Sequence, residues 1–178
     1  MKKVLIISTS LRANSNSELL AKEFQKGAKD AGNEVTFVSL KNKNISFCRG
    51  CLSCQKLGKC VIKDDANEIT DLMCESDVIV WATPIYYYEM SGQMKTLIDR
   101  ANSLYSRNYK FKEVYLLTVA AEKDDYVPQK AISGLEGWID CFEGVTFKET
   151  LFVGDVNTPN SIKNNDKLKI AYELGRRI

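Results

Sequence analysis

Five apolar runs with the length of buried strands alternate along this chain with segments that have the pattern of helices. The strands are expected over residues 3–7, 34–40, 77–82, 113–120 and 145–153. The helices are expected over residues 15–31, 64–75, 91–103, 127–142 and 165–177. Because strands that alternate with helices are joined by crossover connections, this pattern predicts an α/β fold with one parallel sheet covered on both faces. At 178 residues the chain is predicted to form a single domain, 1–178.

The connection between the first strand and the first helix is unusually rich in polar side chains. Its hydroxyl, amide and guanidinium groups belong to Ser8, Thr9, Ser10, Arg12, Asn14, Asn16 and Ser17. The spacing of Ser15 and Glu18 is that of a capping box, which starts the helix there. A helix N-terminus favours anions, because its first N–H groups are unpaired and the helix dipole is positive at that end. The connection therefore predicts a phosphate site, although an ordinary polar loop with a good N-cap has the same composition.

Two common nucleotide-binding motifs are absent. The chain has neither G-x-G-x-x-G nor G-x-x-x-x-G-K-[ST], and no acidic residue ends the second strand to hold a ribose hydroxyl. A terminal phosphate monoester, such as that of flavin mononucleotide (FMN), is the anion that remains. Five strands with a phosphate loop after the first fit a flavodoxin-like three-layer sandwich with strand order 2-1-3-4-5. In that order the ligand lies beyond the carboxyl ends of strands 1 and 3.

The connection after the third strand carries proline and three consecutive tyrosines. It reads Thr-Pro-Ile-Tyr-Tyr-Tyr over residues 83–88. Aromatic rings and exposed backbone amides at the end of a buried strand can flank a flat heterocycle and hydrogen-bond to it. Tyrosines also line oligomer interfaces, so this segment taken alone is compatible with either role.

Histidine is absent, which excludes Ser-His-Asp and Cys-His catalysis and every metal site built on imidazole. Any chemistry must therefore use a cofactor or carboxylate, lysine, tyrosine or cysteine side chains, and no single side chain is assigned a catalytic role. The net charge of +2 predicts no attraction to nucleic acid or to a membrane surface. No apolar run reaches the length of a membrane span and the N-terminus lacks the pattern of a signal peptide, so a cytoplasmic protein is expected.

A polar insertion at about residues 41–64 carries four of the six cysteines. Their spacing is Cys48-x2-Cys51-x2-Cys54-x5-Cys60. Four thiolates within so short a segment can surround one metal site, and sulfur ligands favour an iron–sulfur cluster or zinc. Free or redox-active thiols are the alternative. Cys74 and Cys141 are expected to be small core residues.

The two strand-end connections together resemble those of the NAD(P)H-dependent FMN reductase-like flavoproteins. The most specific match is Thr-Pro-Ile-Tyr-Tyr-Tyr-Glu-Met-Ser-Gly-Gln-Met-Lys-Thr-Leu-Ile-Asp-Arg over residues 83–100. The resemblance implies that the FMN phosphate is bound by Ser10, Arg12, Asn16 and Ser17. It also implies that the ribityl chain and the edge of the isoalloxazine ring lie along Pro84, Ile85, Tyr86 and Tyr87.

The cysteine motif resembles that of iron–sulfur flavoproteins, a branch of the same family. The resemblance implies a [4Fe–4S] cluster on Cys48, Cys51, Cys54 and Cys60 that exchanges electrons with FMN on a neighbouring subunit of a homodimer or homotetramer. A ferredoxin-like carrier is then the expected electron donor. Without a cluster, NAD(P)H-driven reduction of flavin, quinone, nitro or azo compounds is the alternative. A thiol- or metal-sensing binding module is an alternative of another class.

The chain departs from the family pattern in two places. Residues 8–12 read Ser-Thr-Ser-Leu-Arg where the family usually has Gly-Ser-Pro-Arg. Residues 120–125 lack the glycines that are common after the fourth strand, so no flavin contact is predicted from that loop.

Charged residues elsewhere in the chain are expected to have structural roles. Lys95, Asp99 and Arg100 are expected to form ion pairs at the surface or at an interface. Asp64 and Asp65 are expected to cap a helix, because acidic side chains suit its first turn.

Overall fold

The computed structural model describes all residues from Met1 to Ile178. Its strands are β1 (Lys3–Ser8), β2 (Glu34–Ser39), β3 (Val78–Tyr86), β4 (Glu89–Met90), β5 (Glu113–Val119) and β6 (Thr146–Val153). Its α-helices are α1 (Asn16–Asp30), α2 (Ser53–Leu57), α3 (Asp65–Glu75), α4 (Gly92–Arg100), α5 (Gln129–Ile139) and α6 (Lys167–Arg176). Two 3₁₀ helices cover Ala101–Ser106 and Ser161–Asn164. None of the helices is long and apolar enough to cross a membrane.

The sheet has the order β2-β1-β3-β5-β6, and every neighbouring pair in this order is parallel. Counted over the long strands alone, this is the predicted order 2-1-3-4-5, and the flavodoxin-like fold is confirmed. The two-residue strand β4 is an addition that the sequence pattern did not predict. It pairs antiparallel with the end of β3, which continues through residues 83–86 where a loop was expected.

Two apolar cores lie on opposite faces of the sheet, and β1 shows how the sequence builds them. Leu5 and Ile7 belong to the core under α3, α4 and α5, whereas Val4 and Ile6 belong to the core under α1 and α6. Successive side chains of a strand point to opposite faces, so a strand covered on both sides must be apolar at every position. This requirement explains why continuous apolar runs predicted the sheet.

Helices α1 and α6 approach each other closely because both carry glycine at their contact. A Cβ atom on Gly27 would lie 1.9 Å from the carbonyl oxygen of Tyr172. A Cβ atom on Gly175 would lie 2.1 Å from the carbonyl oxygen of Phe24. Any side chain at either position would therefore force the two helix backbones apart.

Two structural interpretations of single residues are wrong. Cys141 is exposed rather than part of the core, because α5 ends at Ile139 and the apolar face of the helix does not extend to it. Arg100 is not a surface residue, since its side chain is fully buried in an ion pair with Asp64. Cys74 is buried, as predicted, and the exposed pair Lys95–Asp99 forms as expected.

Candidate functional site

A cavity of about 140 Å³ opens beyond the carboxyl ends of β1, β3 and β5, where the flavodoxin-like order places a ligand. Seven of the eight predicted cofactor-binding residues line it: Ser10, Arg12, Asn16, Ser17, Pro84, Ile85 and Tyr86. The eighth, Tyr87, lies outside this cavity and is 98% exposed. The structure also adds six lining residues that were not predicted: Ser15, Val119, Ala120, Ala121, Val156 and Asn157.

One end of this cavity is formed by the start of α1. The side chain of Ser15 caps the helix by accepting a hydrogen bond from the Glu18 N–H at 3.1 Å, which confirms that the helix begins here. Asn16 and Ser17 are its first two residues, so their N–H groups have no acceptor within the helix. Arg12 reaches across the cavity, and its Nη1 donates to the carbonyl oxygen of Asn157 at 2.8 Å. The guanidinium keeps further N–H donors for an anion.

The side chain of Asn16 holds a neighbouring loop in place. Its Nδ2 donates to the carbonyl oxygens of Val156 and Thr158 at 3.3 and 2.9 Å. Its Oδ1 accepts a hydrogen bond from the Ile162 N–H at 3.3 Å. The amide group is therefore engaged with the segment after β6, and the backbone N–H is the donor that Asn16 can offer to a ligand. Val156 and Asn157 line the cavity because this amide fixes their loop.

A buried chain of hydroxyl groups connects the loops that follow β1 and β3. The Thr9 and Ser91 hydroxyl oxygens lie 2.9 Å apart, and the Thr83 hydroxyl donates to Ser91 at 3.1 Å. All three residues are inaccessible to solvent, and Ser91 is also the N-cap of α4. Thr9 therefore does not face the cavity. It fixes the spacing between the two loops that form the walls.

The consecutive tyrosines form a tight hairpin turn between β3 and β4. Tyr87 and Tyr88 have φ angles of 51° and 66°, a left-handed conformation that costs free energy in residues other than glycine. Tyr88 donates its hydroxyl to the Glu122 carboxylate at 3.1 Å, and this hydrogen bond raises the pKa of Tyr88. The Tyr88 ring also stacks on Tyr126, with ring centroids 6.0 Å apart. The hairpin is thus attached to the loop that follows β5.

The loop after β5 contributes Ala120 and Ala121 to the cavity, although no contact from it was predicted. No flavin contact was predicted from this loop because it lacks the glycines that are common there. The strand order was the better signal, because β5 lies next to β3 and its end must reach the same edge of the sheet. A glycine elsewhere allows this approach: a Cβ atom on Gly154 would lie 2.4 Å from the Lys123 Cα atom.

The four cysteines of the motif line a second cavity, which is formed by residues 48–62 and the end of α4. All four are free thiols; Cys54 is buried, Cys60 is half-buried, and Cys48 and Cys51 are exposed. No group of three or more Cys, Asp or Glu side chains is close enough together to hold a single metal ion.

A buried ion pair adjoins the cysteine cavity, which Arg100 lines. Arg100 Nη1 and Nη2 donate to the two carboxylate oxygens of Asp64 at 2.6 and 2.8 Å. Burial opposes the charge of Arg100, but the hydrogen bonds to Asp64 and the nearby Cys60 thiol outweigh it and raise the pKa of the guanidinium. Asp64 is also the N-cap of α3, which confirms its predicted capping role. Asp65 is the first residue of that helix and pairs with Lys43.

The chain is similar in sequence to known iron–sulfur flavoproteins. An iron–sulfur flavoprotein of Methanocaldococcus jannaschii is 40% identical over 102 residues, which are 57% of this chain and 53% of that protein. An iron–sulfur flavoprotein of Methanosarcina thermophila is 30% identical over 139 residues, 77% of this chain and 72% of that protein. The chain thus spans about half the length of the first relative and 72% of the length of the second.

The fold is also that of known redox proteins. An NAD(P)H:quinone oxidoreductase from Methanothermobacter marburgensis superimposes with a TM-score of 0.76 at 16% identity, covering 99% of this chain and 95% of that chain. The model of the family described as NADPH-dependent FMN reductase matches residues 2–147, which is most of the sequence. The chain belongs to the NADPH-dependent FMN reductase family.

Proposed function

We propose that this chain is an FMN-dependent oxidoreductase that passes electrons between a reduced donor and an acceptor. The observation that carries the proposal is the cavity at the ends of β1, β3 and β5, where unpaired N–H groups and an arginine meet an apolar strand end. Such a cavity suits a ligand with an anionic end and a flat apolar part. Membership of the family indicates that this ligand is FMN.

The residues fit the phosphate of FMN by the chemistry of their donors. Ser10 and Ser17 bring buried hydroxyls, the start of α1 brings N–H groups, and Arg12 brings a positive charge. These groups would bind the phosphate, while Pro84 and Ile85 would hold the flavin against the strand end. When bound, the flavin supplies hydride and electron transfer, so the protein needs no catalytic acid, base or nucleophile. The absence of histidine is consistent with this division of roles.

We further propose that Cys48, Cys51, Cys54 and Cys60 hold a [4Fe–4S] cluster. Four free thiols around one cavity are the ligand set of such a cluster. Two relatives that carry the name iron–sulfur flavoprotein support the assignment. A cytoplasmic location, as expected from the sequence, is part of the proposal.

The charge of the cysteine segment favours a protein as the electron donor. Residues 41–63 hold six of the 25 basic residues and none of the 23 acidic ones. Of these six, only Lys43 forms an ion pair, and the others are exposed. Phe47 is 80% exposed on the same segment. A basic surface with exposed apolar side chains complements an acidic carrier such as a ferredoxin-like protein.

An assembly of two or four copies, with the flavin near a subunit interface, is part of the proposal. Tyr87, in the hairpin between β3 and β4, is almost fully exposed, as is expected of a side chain that a second copy would cover. NAD(P)H as the donor and a quinone, flavin or nitro compound as the acceptor is the second candidate function. The family, which is described as NADPH-dependent FMN reductase, favours NAD(P)H as the donor.

The decisive experiment is purification without oxygen, followed by an absorption spectrum and assays of iron and acid-labile sulfide. We expect flavin bands at about 450 nm, a broad shoulder beyond them and about four irons per chain. Flavin bands without iron after reconstitution would reject the cluster and leave the NAD(P)H-dependent reductase. A chain that binds no FMN would overturn the proposed function altogether.

A further inference from the structure

We propose that Arg100 and Asn102 are positioning residues of the cysteine cavity, which form it before a metal arrives and then tune the cluster. The second part rests on the proposed [4Fe–4S] cluster. The first part concerns the metal-free chain and can be tested without the cluster. Both residues lie where α4 passes into the 3₁₀ helix Ala101–Ser106, and both line the cavity.

Arg100 joins the two ends of the cysteine segment. Its Nη1 donates to the carbonyl oxygen of Ser46 at 2.7 Å, before the first cysteine. Its Nη2 donates to the carbonyl oxygen of Ile62 at 3.2 Å, after the last cysteine. Asp64 completes the closure, because one of its carboxylate oxygens also accepts the Ser46 N–H at 2.9 Å. One buried ion pair thus closes the loop that carries all four thiols.

Asn102 contacts a thiol directly. Its Nδ2 lies 3.3 Å from the Sγ atom of Cys54, the buried cysteine of the motif. Ser106, one turn further along the 3₁₀ helix, donates its hydroxyl to the Cys54 carbonyl oxygen at 3.3 Å. The short helix α2 that carries Cys54 is therefore held from one side by side chains of a single element.

Stability alone does not account for an arginine in this place. Burying an ion pair costs desolvation energy, and well-packed apolar residues often replace such a pair without loss. The Nε–H of Arg100 is also buried without an acceptor, so the side chain is not fully satisfied. A cation and an N–H donor at the wall of a four-thiol cavity would stabilise a negatively charged centre bound in that cavity.

The expected electrostatic effect has a definite sign. Reduction adds an electron to a cluster that its four thiolates already make anionic. A nearby cation and an N–H donor to sulfur stabilise the more negative, reduced state, so they raise the reduction potential. Removing either group should lower the potential. A residue that merely supports the fold would leave the potential unchanged.

The first experiment measures hydrogen–deuterium exchange of the full chain without metal. We expect Arg100→Lys to speed exchange over residues 46–62 at least tenfold, because one ammonium cannot bridge two carbonyls and a bidentate carboxylate. Asn102→Ala should speed exchange around Cys54 by a smaller factor. Asn108→Ala is the matched control, since this exposed asparagine lies outside the cysteine cavity. Unchanged exchange in both test variants would overturn the preorganisation of the loop.

The second experiment is a redox titration of the reconstituted full chain, followed by electron paramagnetic resonance. We expect Asn102→Ala to shift the reduction equilibrium toward the oxidised cluster by up to about tenfold, which is about 59 mV for one electron. A potential equal to that of Asn108→Ala would overturn the tuning role. If the wild type takes up no iron, the cluster proposal fails and the tuning role fails with it, whereas the exchange experiment still decides the positioning role.

Discussion

The two cavities of this protein are constructed in different ways. The candidate FMN cavity lies at the ends of adjacent parallel strands, whose positions are fixed by the hydrogen bonds of the sheet. The cysteine cavity lies in an insertion whose only regular element is the five-residue helix α2. One buried ion pair holds that insertion closed. A site on a sheet edge therefore inherits its geometry from the fold, whereas a site on a loop depends on a few side chains.

This difference predicts how each cavity responds to substitution. At the candidate FMN cavity, the loss of a side chain that faces the ligand, such as Arg12, removes one contact with the ligand and leaves the strand ends in place. At the cysteine cavity, the loss of one charge releases the whole insertion.

The largest effect is expected at the buried ion pair. Asp64→Asn should lower the free energy of unfolding by about 3–5 kcal/mol, because it leaves the Arg100 charge buried and uncompensated. Asp99→Asn is the matched control, since its ion pair with Lys95 is exposed and is worth less than about 1 kcal/mol. Urea unfolding of both variants measures the difference. Equal losses would show that the insertion does not depend on the buried pair.

Acid should weaken the same pair. Burial alone would raise the pKa of Asp64, but hydrogen bonds from Arg100, Ser46 and Ala66 outweigh it and hold the pKa below its usual 3.8. Since the folded-state pKa is the lower one, the carboxylate stabilises the fold above about pH 4 and this contribution is lost as the pH falls through the folded value. Unfolding free energies measured from neutral to acid pH should therefore fall less steeply in Asp64→Asn. An identical slope in wild type and variant would contradict this.

The next effect is expected at the proposed phosphate end of the candidate FMN cavity. Arg12→Ala should weaken FMN binding by about 1.5–3 kcal/mol through the loss of a charge-assisted hydrogen bond. Quenching of flavin fluorescence measures the affinity. Arg107→Ala provides the control, because this arginine pairs with Asp71 and does not line the cavity. If Arg12→Ala binds FMN as tightly as the control, Arg12 does not contact the phosphate.

A smaller effect is expected where the loop after β5 passes close to β6. Gly154→Ala should displace that loop, because the new Cβ would lie 2.6 Å from the Glu122 carbonyl oxygen. We expect a loss of about 1–3 kcal/mol in stability, with weaker FMN binding. The control is Gly137→Ala on α5, where a Cβ meets no atom within 4 Å. Unaltered FMN affinity in Gly154→Ala would separate Ala120 and Ala121 from the flavin site.

The smallest effect is expected on the basic surface of the cysteine segment. The double variant Lys56→Glu, Lys59→Glu should slow electron transfer from an acidic carrier several-fold at low salt and hardly at all at high salt. Stopped-flow reduction at two ionic strengths measures this. Lys29→Glu, Lys148→Glu is the charge-matched control outside the segment. Equal rates in the two double variants would place the donor elsewhere.

Some properties of the site were predictable because they depend on neighbours in the chain. The capping serine at residue 15 and the polar residues after β1 lie at a strand–helix junction that the apolar pattern marks clearly. The role of the Asn16 side chain was not predictable in this way. Its partners Val156, Thr158 and Ile162 are about 140 residues away, and no local pattern records them.

The sequence by itself determined the sheet, its order and the positions of the two functional segments. Strands buried on both faces require continuous apolar runs, and a parallel sheet brings the following loops to one edge. Only the tertiary structure decided the position of Arg100. Arg100 lies on α4, where the nearby Lys95 and Asp99 are exposed. Its own side chain is buried and pairs with Asp64, which lies 36 residues earlier in the chain. The fold brings the partner of a long side chain close from a distant part of the chain, so the local sequence does not specify that partner.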